Sequence, residues 1–269
     1  MKVYVTIFKT TVLTCLLGFW FNQNSNGSDE DNFYVVTGTN GWNVTWYLND
    51  QPVYIGHGAF VLDVSKFVKN GDNHVRCVAK VYSDTAVPHN FKLSKIKNIT
   101  DKGITLWSSR EIVNNSDSSV ELSFVFYGES KTKWRWEQSQ IIPVLDQQQR
   151  NILLNKANSF LLSLKENGVK AIRSSILLDW QASSSKHTGY LQSALDVLEK
   201  SKLSNPRIVS LKQLEILQGT KLVLIYSDKN NLFEAESILN ESSSKKVSLV
   251  IPYIFFIKED DTWKMLNFL

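Results

Sequence analysis

The chain holds only two cysteines, Cys15 and Cys77, in 269 residues. That is too few for the disulfide framework that staples small secreted domains, so stability must come from packed cores. Histidine is scarce as well. His57, His74, His89 and His187 are scattered, and none lies at ligand spacing from another metal-binding residue, which argues against a zinc site. The sequence lacks a Gly-rich phosphate loop, a G-x-S-x-G elbow and an H-E-x-x-H helix, so no motif names a reaction or a cofactor. It also lacks an excess of one charge. The formal net charge is +4, and Lys2 and Lys9 are the only charges in residues 1–27, which leaves +2 for the remainder. Nothing there replaces the counterions of a nucleic-acid backbone, and no nucleic-acid partner is expected.

What is present first is an N-terminal targeting pattern. Lys2 and Lys9 precede the apolar run "TTVLTCLLGFWF", and the polar "NQNSNGS" follows. The apolar part is shorter than the 20 or so residues of a comfortable membrane span. Residues 1–27 therefore read as a signal peptide or N-terminal anchor, with Cys15 in a lipobox-like "VLTC" as a third alternative. The expected location is exported: periplasmic, secreted or envelope-associated, with the N-terminus as the candidate membrane tether. After cleavage Cys77 is the remaining cysteine. It lies in "HVRCVAKV", where Val75, Cys77, Ala79 and Val81 alternate as on a buried strand face.

With 43% hydrophobic and 21% charged residues, the composition is globular, and the length suits two domains. From Phe33 to about Trp136 the pattern has period two: "NVTWYLN", "AFVLDVS", "HVRCVAKV", "GITLWSS" and "SVELSFVFYG" read as strands separated by Asn, Asp and Gly turns. The expectation for residues 33–137 is an all-β sandwich. Within "WYLNDQPVYIGHGAFVLDVSKFVKNGDNHVRCVAKV", Leu48-Asn49-Asp50, Leu62-Asp63-Val64 and Gly71-Asp72-Asn73 occupy places that resemble those of galactose-binding-like jelly-roll modules. That resemblance implies an accessory binding module.

Near Pro143 the period changes. Asp146 can cap a helix in which Leu153, Ala157, Phe160, Leu161 and Leu164 share one stripe and which Gly168 can end. Two further helices are expected, through Ile172, Ile176 and Trp180, and through Leu191, Ala194, Leu195 and Leu198. Four apolar strand segments follow: "PRIVSLKQLEIL", "TKLVLIYSD", "KVSLVIPYIFFIK" and "TWKMLNFL". Helices before an antiparallel meander indicate an α+β layer fold over residues 146–269. The closing hairpin, Tyr253 to Ile257, Asp260-Asp261 and Trp263 to Leu266, resembles that of NTF2-like (cystatin-like fold) proteins, which implies helices on a curved sheet around a pocket. The last strand should then lie inside that sheet, with Trp263 and Phe268 in the core. Its second apolar face would need a cover, either the N-terminal domain or the partner of a homodimer.

Candidate ligand-binding residues follow from this layout. Asp179, Trp180, His187, Tyr190 and Tyr226 are placed to face an NTF2-like pocket, against a purely structural reading as caps and core. In "KTKWRWEQ", Trp134 and Trp136 share one face if the segment is a strand, where they would stack on sugars or a partner when exposed and complete a core when buried. The expectation is an exported two-domain protein that acts by binding a glycan, an envelope protein or a small apolar molecule. The alternative is an NTF2-like lyase or isomerase with Asp179 and His187 as acid and base.

Overall fold

The structure is a computed structural model that describes residues 33–82, 90–96, 103–109, 119–130, 134–168, 170–172, 202–228, 230–238 and 246–266. The targeting segment of residues 1–27, the second and third expected helices beyond residue 172, and Phe268 lie outside the described residues. No described helix is long and apolar enough to cross a membrane.

In the first half, β1 (Phe33–Gly38), β2 (Trp42–Leu48), β3 (Gln51–His57), β4 (Phe60–Asp63), β5 (Gly71–Val81), β6 (Lys92–Ile96), β7 (Ile104–Ser108) and β8 (Ser119–Gly128) form two antiparallel sheets, ordered β4-β1-β6-β7 and β3-β2-β5-β8. Alternation decides which side chains go inward: on β5, Val75, Cys77 and Ala79 are buried, while His74, Arg76 and Lys80 between them are exposed. Burial pushes the pKa of the Cys77 thiol upward and makes it an inert core residue. The β2–β3 hairpin turns through Asn49 and Asp50, both left-handed at φ 53° and 62°, the primed two-residue turn that matches strand twist.

Between β8 and the second half, the described residues include two α-helices. The first, α1 (Arg135–Gln138), is a single turn. The second, α2 (Gln147–Asn167), begins at Asp146, whose carboxylate accepts from the Gln149 N–H at 2.7 Å, and ends at Gly168 with φ 58°. Its buried residues are Leu153, Ala157, Phe160, Leu161 and Leu164, the stripe expected from periodicity.

The second half contains β9 (Lys202–Ile208), β10 (Glu215–Gln218), β11 (Val223–Tyr226), β12 (Phe233–Ile238), β13 (Lys246–Ile251), β14 (Ile254–Glu259) and β15 (Thr262–Leu266). These divide into two antiparallel sheets, β13-β12-β9 and β10-β11-β14-β15. The chain is thus mostly β, four small sheets in a four-bladed, β-propeller-like arrangement whose strand orders are not simple meanders. This corrects the expected fold. The chain is not an N-terminal β-sandwich followed by an NTF2-like, cystatin-like α+β domain, and the NTF2-like lyase or isomerase alternative loses its scaffold.

The physical reason lies in the connections. Pro252 has no N–H for a ladder and sits between β13 and β14, so the apolar run "KVSLVIPYIFFIK" bends from one sheet into another instead of crossing one curved sheet. The closing strand is also corrected. β15 is an edge strand of its sheet, and Trp263 is only partly buried against the core.

Sheet β10-β11-β14-β15 has two apolar faces, and both are covered. Val223, Ile225, Ile254 and Phe256 join a core with the α2 stripe, Phe233 and Leu249. Leu222, Leu224, Phe255, Ile257 and Leu266 join the other core, with Trp42, Trp46, Phe67 and Phe91 of the first half. The face for which a homodimer partner was one candidate cover is therefore occupied by the chain's own first half.

A charged junction ties α1 to the closing hairpin. The Arg135 Nε and Nη2 donate to the two Glu259 carboxylate oxygens at 2.7 Å each, and Lys264 Nζ donates to Oε2 at 2.8 Å. The Arg135 hydrogen bond leads the causes that hold the Glu259 carboxyl down at about 2. Because the folded pKa is depressed, the stabilisation is full above the unfolded value, about 4.5, and is lost as pH falls toward 2. After discounting for solvent screening it amounts to about 1–2 kcal/mol. The stability difference between the native chain and Glu259→Gln, measured by urea unfolding, should shrink between pH 6 and pH 2.5. A difference that stays constant over that range would show that the ion pair contributes nothing.

Candidate functional site

Polar residues from both halves line a cleft of about 510 Å³. Its floor is the solvent face of sheet β3-β2-β5-β8. Alternation sends Asn43 and Thr45 of β2 outward while Trp42, Val44 and Trp46 go into the core. Register then sets their neighbours. Asn43 lies opposite His57 on β3 and opposite Lys80 on β5, and Thr45 lies between Ile55 and Val78. Directly opposed residues have side chains about 5 Å apart, so His57, Asn43 and Lys80 form one cross-strand row. Among the described residues, neither the Lys80 ammonium nor the His57 imidazole has a hydrogen bond or an ion pair; His57 packs edge-on against the Tyr82 ring at 5.6 Å.

The facing wall is the β11–β12 connection. It carries Tyr226 at the end of β11, then Ser227, Asp228, Asn230 and Asn231, and Glu234 at the start of β12. Asn231 Nδ2 donates to Glu234 Oε1 at 2.6 Å, which fixes both planar groups. The Tyr226 hydroxyl donates to Glu215 Oε2 at 2.9 Å. Burial, then the hydrogen bond to Glu215 and the charges of Glu215 and Asp228, push the Tyr226 pKa well above the ordinary tyrosine value.

The inner end is aromatic. Tyr253 and Tyr54 meet edge to face at 6.1 Å, Tyr54 stacks on Phe60 at 4.4 Å, and the Tyr253 hydroxyl donates to the Ile55 carbonyl. Burial raises the Tyr54 pKa to about 12 and that of Tyr253 further still. All three phenols are therefore neutral at any physiological pH. They offer hydrogen bonds and ring faces and supply no phenolate base. No group of three or more candidate metal ligands occurs among the described residues.

Of the residues singled out in the sequence, Tyr226 lines the cleft. Asp179, Trp180, His187 and Tyr190 lie outside the described residues. Trp134 and Trp136 are not on a strand. Trp134 caps α1, Trp136 lies in its one turn, and both are buried in the first-half core, with Trp136 Nε1 donating to the Lys66 carbonyl at 2.8 Å. Their rings present no stacking surface to solvent.

The sequence reading missed Asn43, His57, Lys80, Tyr54, Asp228 and Tyr253. Two signals for them were in the chain: the polar residues alternating with the buried ones on β2 and β5, and the polar "SDKNN" between two apolar strands, which reads as an ordinary turn until something faces it. Comparisons with protein-family models, with characterised proteins and with solved structures find no match, so neither the NTF2-like nor the galactose-binding-like resemblance gains a relative that supports it.

Proposed function

We propose that the protein acts by binding, and that the cleft between its halves holds a saccharide. The observation that carries this reading is the pairing of two kinds of group across one cavity. Planar amides and carboxylates, Asn43, Asn230, Asp228 and Glu234, stand where neighbouring hydroxyls can be bonded, and the Tyr226 ring offers a face for the C–H side of a sugar. A small apolar ligand suits the cleft less well, because it would bury these groups without giving them partners. The saccharide reading agrees with the export expected from residues 1–27.

The test is a binding screen of the full-length chain on an immobilised saccharide array, followed by calorimetry on the best hit. Tyr226→Ala should weaken that hit by about tenfold, the loss of one stacked ring, measured well below the variant's own thermal midpoint because the ring also packs against the first-half core and its hydroxyl bonds Glu215. An array on which nothing binds, or a Tyr226→Ala chain that binds as well as the native one, would refute the assignment.

A further inference from the structure

Resting on the saccharide reading, we propose that the ligand is an acidic saccharide, its carboxylate or sulfate seated on the cross-strand row His57–Asn43–Lys80. The argument begins with the register. Three side chains able to donate hydrogen bonds stand side by side on three neighbouring strands, all on the face that floors the cleft. A row of donors ending in an ammonium is matched by an anion with several oxygens, and charge-assisted bonds of this kind are about twice as strong as neutral ones.

The opposite wall sets the orientation. Asp228 and Glu234 repel an acid and accept from hydroxyls, so an acidic sugar can enter in one sense only, acid toward the floor and hydroxyls toward the β11–β12 wall.

The floor continues the same chemistry beyond the cleft. Along β5 the outward positions after Asp72 are His74, Arg76, Val78 and Lys80. Arg76 lies over the Tyr47 ring at 3.9 Å and pairs with the exposed Glu121 at 3.5 Å. From Lys80 to Arg76 is about 13 Å along the strand, so a chain of acidic sugars leaving the cleft meets a second cation beside an aromatic face.

The experiment compares matched probes on the full-length chain: oligogalacturonate against its methyl ester, and sialylated and sulfated glycans against their neutral parents. The acidic member of at least one pair should bind about tenfold or more tightly than its neutral counterpart, and Lys80→Gln should bring that acidic-to-neutral ratio down to about one. Equal binding of acidic and neutral members in every pair would overturn the acidic assignment and leave the saccharide reading standing. Binding of none would overturn both. Oligothymidylate bound as tightly as the acidic glycan would also overturn it, since the attraction would then be to charge alone. A Lys80→Gln chain that keeps the full preference would remove the donor row as its cause.

Discussion

Replacing Phe255 with alanine is expected to destabilise the entire chain by about 3–5 kcal/mol and to leave a single unfolding transition. Phe255 is 4% exposed and belongs to the first-half core, where its ring lies 5.7 Å from that of Phe67. Its neighbour Phe256 points the other way, into the core built on α2. Strand alternation thus makes one strand, β14, a wall of both cores, and removing either ring opens a cavity against a sheet that the other core also needs. Phe256→Ala should cost a similar amount. Guanidinium unfolding followed separately by tryptophan fluorescence, which reports mainly on the first-half core, and by far-UV circular dichroism would decide the matter. If Phe255→Ala gives two separated transitions, the halves are energetically independent and the shared-sheet account fails.

The second large effect is expected at Gln51. This amide is 1% exposed and satisfied on both sides. Its Nε2 donates to the Asn49 carbonyl and to Thr220 Oγ1, and its Oε1 accepts from the Lys221 and Leu222 N–H groups at 2.9 Å each. One side chain from the β2–β3 hairpin therefore satisfies the backbone of the turn that leads into β11. In Gln51→Leu the two N–H groups lose their acceptor, at least one of them at a fully buried residue, and the cost should be about 3 kcal/mol.

Gly219→Ala probes the same junction from the other side. A methyl group there would lie 2.5 Å from Pro52 Cδ and 2.7 Å from the Asp50 carbonyl oxygen, so the hairpin would have to move away, at a cost of about 1–3 kcal/mol. Both variants should increase hydrogen exchange at the Leu222 amide. Native-like protection at Leu222 in Gln51→Leu would mean that another acceptor takes over and that the amide is not the latch described. Because the cleft lies across the two halves, both variants should also weaken ligand binding without altering a residue that lines it.

Local signals were readable wherever one principle acted alone. Period two identified β2, β5 and β8, because each buries one face. Period 3.6 with Asp146 and Gly168 identified α2 and its buried stripe. The strand β3 was missed, since Pro52 and Gly56 interrupt its alternation and a register shift falls between Pro52 and Tyr54. The tryptophans of "KTKWRWEQ" were misplaced because a one-turn helix carries no period of its own; the Trp134 N–H donating to Glu137 Oε1 at 2.7 Å turned the chain there.

The grouping of strands into sheets was the larger error. An apolar strand buried on both faces looks the same whether it belongs to one curved sheet or to a sheet walled between two cores. The cleft was hidden for a related reason: Tyr226 was visible as a strand-end tyrosine, but the floor opposite it comes from residues 146 to 183 positions earlier in the chain.

By itself, then, the sequence determined the burial polarity of β2, β5 and β8, the α2 helix with both caps, the inert environment of Cys77 and the absence of a recognisable catalytic motif, because these depend on the spacing of neighbouring residues and on backbone chemistry. The tertiary structure alone decided that β14 walls two cores, that Gln51 ties the halves together, and that the row His57, Asn43 and Lys80 lines the same cleft as Asp228. Those relations depend on strand register and on contacts between distant segments, where many pairings satisfy the same local pattern and only the packing of the complete chain selects one.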